Sequence, residues 1–571
     1  MERARSSADA ATDRSGARQR PASHDQTRPD GDHIIAGRPT TLLASRDLAI
    51  GLVIAVVAGA VSWAIAWRQS SPLEDAAMLF RFADNIAAGH GIAWNPGEHP
   101  VDGATDLGFL FAVAGLRVLG MSAQTGAFVL DTIAFAATAC LLYVFSRARR
   151  LATPWALTLV ALFVLGPGLA ISAAGFSAVA FAATLAGVFV LVLRMTDTSS
   201  LRHAVLVGCV GIVPGIVRPE GYLYVGILLA AALVIGVPWR RLAASAGIIV
   251  GSGLVFLAWR WHTFGYPLPN PYYKKGSGSL HSDGFASAAH FLWDVALIPV
   301  VVLVVVGPFL RPVDRRRWAA YLLAIVAMLT MWSLLSSEMN FLYRFQYPLF
   351  VVSLFMVADL LTRTRVGWVS DARRLPDARG VLCASIIVLL AASMFATRFR
   401  PVTAPEPQQA VAGILSSSGQ TGLTVATTEA GYVCWQSGWR CVDLWGLTNA
   451  RVAHDGFLDQ AQLAALHPAV IFVHAFTSPR HRTLTTGYAS SGLPGWSAMT
   501  TPVIRFAEHD GYRLVAALRA SPDAGYFVYV RPGLPATAAL THAFARLRPS
   551  LQTSYGPPAT DGRYHLPVEF G

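Results

Sequence analysis

The stretch SSPLEDAAMLFRFADNIAAGHGIAWNPGEHPVDGATD, residues 70–106, places six carboxylates three residues after an apolar run ends at Trp67. They are Glu74, Asp75, Asp84, Glu98, Asp102 and Asp106. A carboxylate at a membrane surface can serve as a general base, taking the proton of an acceptor hydroxyl as a new bond forms. Wound as a helix, the segment puts Glu74, Arg81 and Asn85 on one polar stripe, while Asp75 projects beside Leu79, Phe82 and Ile86. Solvation does not call for an acid on that flank, so Asp75 is the candidate base. Glu74 has a structural alternative: Ser71, Pro72 and Glu74 stand at the N-cap, N1 and N3 spacing of a capping box. Asp102 and Asp106 bracket Gly-Ala-Thr and are candidates for substrate hydroxyls, with Asp106 also placed to cap the helix that follows. Asp84 reads as the partner of a nearby base. His90, between two glycines, reads as a loop residue, because no second His or Cys stands at metal spacing.

What positions these acids is a membrane domain. Of the 571 residues, 54% are hydrophobic and only 14% charged, against about 25% charged in soluble domains; the mean hydropathy is +0.47. The net charge of +12 does not indicate nucleic acid, because the arginines sit in short segments between apolar runs, where orientation explains them. Residues 1–46, polar and nearly free of aromatics, read as a disordered cytoplasmic tail, and the run from Asp47 to Trp67 as a retained anchor. Further apolar runs fall near 107–120, 126–146, 153–174, 176–193, 203–217, 221–238, 242–261, 291–310, 318–336, 341–361 and 380–397. Leaving 107–120 at the interface puts Arg147/149/150, Arg194/202, Arg240/241, Arg311/315/316/317 and the 363–379 group all in the cytoplasm. The expectation is about eleven spans in residues 47–399, with a large outer loop at 68–125.

This threading strands Arg81, Arg117, Arg218, Arg260, Lys274, Lys275 and Arg344 on the outer side. Cations against the orientation trend fit an anion there. When a glycosyl phosphate bond breaks, charge builds on the leaving phosphate, and Arg218, Lys274, Lys275 and Arg344 are candidates to stabilise it. Glu220 is placed to orient an arginine or meet sugar hydroxyls. From residue 400 to 571 the pattern becomes short alternating strands, in GLTVATT, RCVDLWG, AVIFVHAF, YRLVAALR and GYFVYVRP, with a helix in LDQAQLAALH and an irregular last twenty residues. This is a mixed α/β domain, outside the membrane and able to hold an acceptor through Asp443, Trp445 and Asn449. Within it, Cys434 and Cys441 flank a turn-like Gln-Ser-Gly and are expected to form a disulfide, whereas Cys140, Cys209 and Cys383 lie in apolar runs.

The segment EDAAMLFRFADNIAAGHGIAWNPGEHPVDGATD resembles the first-loop signature of the membrane-embedded type C glycosyltransferases, and RPEGY, PLPNPYYKK, YRFQYPLF and VDLWGLTNARVAHDG are similar to later landmarks. Within that family it resembles the actinobacterial terminal arabinofuranosyltransferases of cell-wall arabinan. It implies a decaprenyl-phosphate arabinofuranose donor, an envelope glycan acceptor, inversion at the transferred sugar, and a site facing outward across the cytoplasmic (inner) membrane. It maps the base onto Glu74 and Asp75, with Asp75 the better aligned, and adds Asn270 and Tyr273 as substrate contacts. Glu-Asp replaces the usual Asp-Asp, and Ala104 and Asp106 stand where Tyr and Asn are usual. A lipid monophosphate donor facing several cations needs no metal, and no cofactor is expected. The rival classes are a transporter or flippase for lipid-linked or envelope sugars, which should show paired half-repeats and acids in mid-span, and a glycan-binding receptor.

Overall fold

Each apolar run named above is mainly helical over its described residues in the structure, a computed structural model that describes residues 45–69, 72–276, 280–334, 340–365, 378–398, 407–475, 496–521, 524–554 and 568–569. The expected tail up to residue 44, Ser71 and most of the last seventeen residues lie outside the described residues. The first half contains α1 (Ser45–Gln69), α2 (Glu74–Ala87), α3 (Leu107–Val118), α4 (Ala123–Ala148), α5 (Thr153–Val164), α6 (Gly168–Ala173), α7 (Ala178–Arg194), α8 (Leu201–Val217), α9 (Glu220–Ile235) and α10 (Trp239–Phe264). There follow α11 (Asn270–Lys275), α12 (Ser282–Phe291), a π-helical turn at Leu292–Ala296, α13 (Leu297–Val306), α14 (Arg315–Met331), α15 (Tyr347–Leu361) and α16 (Ala378–Arg398).

Among the described residues seven helical segments are long and apolar enough to cross a membrane, and five shorter apolar helices accompany them. The protein is therefore a multi-pass helical membrane protein. α3, at 12 residues, reaches about 18 Å, well short of a bilayer core of about 30 Å. It packs on α2, α4 and α8 and leaves Phe111 and Val118 exposed, as an interfacial helix would.

The C-terminal part comprises α17 (Pro407–Ser417), β1 (Thr424–Thr427), α18 (Tyr432–Ser437), β2 (Arg440–Asp443), α19 (Ala450–Asp455), α20 (Gln460–Leu466), β3 (Val470–Ala475), α21 (Trp496–His509), β4 (Arg513–Ser521), β5 (Ala524–Val530), α22 (Thr537–Ser554) and β6 (Val568–Glu569). The sheet order is β2-β1-β3-β5-β4-β6. β1 pairs in parallel with β2 and β3, and the remaining pairings are antiparallel. One apolar cluster runs without a break from α2 and α3 into α17, α18 and β1, joining Phe80 and Leu110 to Val411, Tyr432 and Val425. The membrane helices and the sheet belong to a single compact unit.

Candidate active site

α2 turns its two adjacent acids to different partners. Glu74 is buried, and its carboxylate accepts from the backbone N–H of Gly431 at 2.6 Å and of Tyr432 at 2.8 Å. Gly431 has no room for a side chain, since a Cβ would overlap the Glu74 carbonyl oxygen. Tyr432 Oη adds a hydrogen bond to the Pro72 carbonyl at 2.6 Å. The helix starts at Glu74 itself, with Leu73 at its N-cap and no side-chain cap. The capping-box reading is thereby corrected: the Glu74 carboxylate is committed across the domain boundary, where the N–H groups at the start of α18 need an acceptor.

The same face of α2 carries Arg81, which donates to the carbonyls of Trp94, Cys434 and Trp439 and to Asn95 Oδ1. Burial pulls its guanidinium down to about 10, against the attraction of Glu98. Cys434 and Cys441 form a disulfide between α18 and β2. Asp84 pairs with Arg117 at 2.7 Å and accepts from Trp435 Nε1.

Asp75 instead faces a cavity of about 200 Å³ whose charged lining residues are Asp75, Asp106, Arg218, Glu220, Lys275 and Arg344. Arg344 Nη2 donates to Asp75 Oδ2 at 2.9 Å, while Arg344 Nη1 has no hydrogen-bond partner among the described residues. The guanidinium lies 3.9 Å from the centroid of Phe176 and 5.3 Å from that of Phe345. Its backbone is held by an unusual turn: Leu342 and Tyr343 both have positive φ, 57° and 55°, a conformation that costs about 1–3 kcal/mol per residue. Asn340 Oδ1 accepts from the Phe345 N–H, Asn340 Nδ2 donates to Gln346 Oε1, and Tyr343 Oη donates to Asp294 in the π-helical turn. These bonds hold the strained turn in place.

Arg218, between α8 and α9, donates to Glu220 Oε1 at 2.9 Å and lies 3.5 Å from Asp106 Oδ1. Burial opposes its charge, but Asp106 and Glu220 outweigh burial and its pKa is raised. Asp106 occupies the N-cap position of α3 without making a side-chain cap; its carboxylate accepts from Thr105 and Ser177. Phe345 is the ring common to three cations, at 5.7 Å from Arg218, 5.9 Å from Lys275 and 5.3 Å from Arg344.

Other expected residues sit elsewhere. On α11, Lys275 reaches the cavity, whereas Lys274 lies over Trp445 and Phe457 in the C-terminal part, 4.7 and 4.4 Å from their centroids. Tyr273 packs on His454. Asp102 is engaged with Arg260 at 2.6 Å, both about 2% exposed, and burial raises its pKa against the pull of Arg260. The Asn270 N–H donates to the Asp102 carbonyl. Asp443 accepts from the N–H groups of Trp445, Gly446 and Thr448, so it shapes its own loop; with Trp445 it lines a second, narrow cleft that touches Asp75. Phe176, Ser177, Trp332 and Phe345 were not legible as site residues, although Phe345 lies inside the YRFQYP segment. Among the described residues no group of three or more His, Cys, Asp or Glu is placed to hold a metal.

Solved structures are similar to this chain in fold. ArnT from Cupriavidus metallidurans bound to undecaprenyl phosphate matches at a TM-score of 0.54 and 12% identity, over 85% of this chain and 98% of that one. The apo form of the same protein matches at 0.55 and 11%, over 84% and 98%. The mycobacterial arabinofuranosyltransferase AftD matches at 0.47 and 14% identity, over 86% of this chain and 40% of AftD. Residues 399–530 match a family model described as a domain of unknown function, DUF8728. No curated protein matches by sequence. The chain thus has the fold of the type C membrane glycosyltransferases. Within that fold, the candidate base is the α2 aspartate that shares Arg344 with the cavity.

Proposed function

We propose that this protein is an inverting glycosyltransferase that moves a sugar from a polyprenyl-phosphate donor to a cell-envelope glycan. The observation that carries the reading is Arg344: one nitrogen holds Asp75, the other is uncommitted among the described residues, and the whole group lies on aromatic rings at the cavity wall. Such an arginine couples a base to an anion. Asp75 takes the acceptor hydroxyl proton as the acceptor oxygen attacks the anomeric carbon. The anomeric carbon–phosphate oxygen bond breaks on the opposite face, and its electron pair leaves on the phosphate. Arg344, Arg218 and Lys275 stabilise that charge. Glu220 and Asp106 hold Arg218 and face sugar hydroxyls; Asp443 and Trp445 stand on the acceptor side.

In this reading about eleven helices span the cytoplasmic membrane, and the loop at 68–125 and the α/β domain face outward. The sugar is arabinofuranose on the strength of the first-loop resemblance. The test is transfer from radiolabelled polyprenyl-phosphate sugars to envelope acceptors in membranes holding wild type or Asp75→Asn. Product from wild type, with a 10²–10⁴-fold loss in the folded variant, is the expected result for a general base. Equal transfer by both removes Asp75 from that role, and no transfer with any donor removes the enzyme reading.

A further inference from the structure

A second space, sharing Asp75 with the main cavity, lies between α2 and the C-terminal domain: a cleft of about 20 Å³. That is room for about one water. Asp75, Met78 and Leu447 line both spaces, so the cleft opens on the base. Among the described residues its walls carry four carboxyl groups, Glu74, Asp75, Glu429 and Asp443, and no lysine or arginine.

Three of the four have partners suited to an anion. Glu74 accepts from two backbone N–H groups, Asp75 from Arg344, and Asp443 from three backbone N–H groups and the Thr448 hydroxyl. Glu429, just beyond β1, is different. Its side chain is 12% exposed and its carboxyl meets His474 Nδ1 at 2.8 Å, on a histidine that is itself 16% exposed. The His474 ring is stacked against Tyr526 at 4.4 Å and its carbonyl accepts from Trp496 Nε1, which fixes the pair from β5 and α21. Among the described residues, the charged and titratable groups around Glu429 and its partner are Glu74 and Asp75 from α2, Asp443 from the end of β2, and His474 from β3 with Tyr526 of β5 stacked on its ring.

We propose that Glu429 is a positioning residue for the transfer at Asp75: its carboxyl, bonded to His474 and lining the cleft that opens on the base, orients a water or acceptor hydroxyl there. This rests on the transfer reaction proposed above and adds a residue from the C-terminal domain to it. Burial first, then Asp75 and Asp443, push Glu429 up to about 8, while burial holds His474 down to about 4. At pH 7 the carboxyl O–H then donates to a neutral imidazole, and adjacent acids with separated protonation states can divide the work of a site.

The wild-type enzyme should lose transfer about tenfold per pH unit above about pH 8, as Glu429 ionises. Glu429→Gln, which keeps the shape but cannot ionise, should lack that alkaline limb. A limb unchanged in Glu429→Gln overturns the proposal. So does a loss above about 100-fold at every pH in a correctly inserted variant, because Glu429 would then itself be a proton-transferring group. Infrared spectroscopy of the purified protein reads the proton without any substrate: a protonated-carboxyl band at pH 7, titrating near pH 8 and missing from Glu429→Gln, supports the proposal. Its absence from wild type refutes it, whether or not a donor sugar has been found. If Glu429→Gln does not insert, the absence from wild type of any protonated-carboxyl band titrating near pH 8 still refutes the proposal.

Discussion

Glu74→Gln separates the two neighbouring acids of α2 most sharply. The wild-type carboxylate accepts two charge-assisted bonds, 2.6 Å from Gly431 and 2.8 Å from Tyr432, in a buried setting. A glutamine amide offers one oxygen to these two donors and turns an NH₂ toward the second. One bond falls from charge-assisted to neutral strength, a loss of about 1 kcal/mol, and the other N–H is left buried without a partner, at about 1–3 kcal/mol. The docking of α18 on α2 should therefore weaken by about 2–4 kcal/mol. The assay is the temperature of half-inactivation in detergent, alongside transfer at a temperature where both proteins are folded. The expected outcome is a clearly lowered inactivation temperature with transfer within about tenfold of wild type, the reverse of Asp75→Asn. Wild-type stability with transfer abolished would mean that Glu74, not Asp75, does the chemistry, and the assignment of roles along α2 would be wrong.

Asp102→Asn should lower stability by about 3–5 kcal/mol, because it leaves the buried Arg260 charge without its counter-ion; a thermal shift no larger than that of a surface variant would refute this. Lys274→Met should leave the KM for the donor unchanged while loosening the α11 segment from Trp445 and Phe457, seen as faster proteolysis around residues 270–276. A raised donor KM would return Lys274 to the phosphate. His474, held at about 4 by burial, binds fewer protons folded than unfolded. Its contribution is present above about pH 6.5 and is lost as pH falls toward about 4, at most about 3 kcal/mol. Glu429 has the opposite sign: its contribution is complete below about pH 4.5 and is lost as pH rises through about 8. His474→Gln should flatten the acid side of the stability profile, and thermal inactivation measured at pH 4.5 and pH 7 checks it.

The helix α2, the apolar helices of the membrane part, α20 and the strands β1 to β5 were legible because hydrophobicity and its period are local properties of the chain; α17, α18, α19, α21 and α22 were not, and α18 lies where a turn between Cys434 and Cys441 was expected. Separation of Asp75 from Glu74 was also readable, since adjacent helical residues point about 100° apart. Long-range partners were not. Arg260 meets an acid 158 residues away, and Arg81 a carbonyl 358 residues away, so two of the outer cations that seemed to await an anion hold the fold together. Lys274 and Lys275 are indistinguishable in sequence yet serve different partners, because a six-residue helix sends them to different faces. Glu429 and His474 carried no motif at all: their meeting depends on β1 and β3 being paired in parallel. β6, two residues long, was too short to leave any pattern.

The bond from Glu74 to the start of α18 also governs how the molecule can be divided. A fragment beginning near residue 407 would present a bare Gly431–Tyr432 amide pair and the exposed half of an apolar cluster, while the remaining membrane half would keep Asp75 without the wall behind it. Chimaeras made by exchanging the C-terminal domain between homologues will therefore succeed only if α2 travels with it. The unit of inheritance at this site is the α2–α18 seam, and its boundary does not coincide with the boundary between membrane and soluble parts.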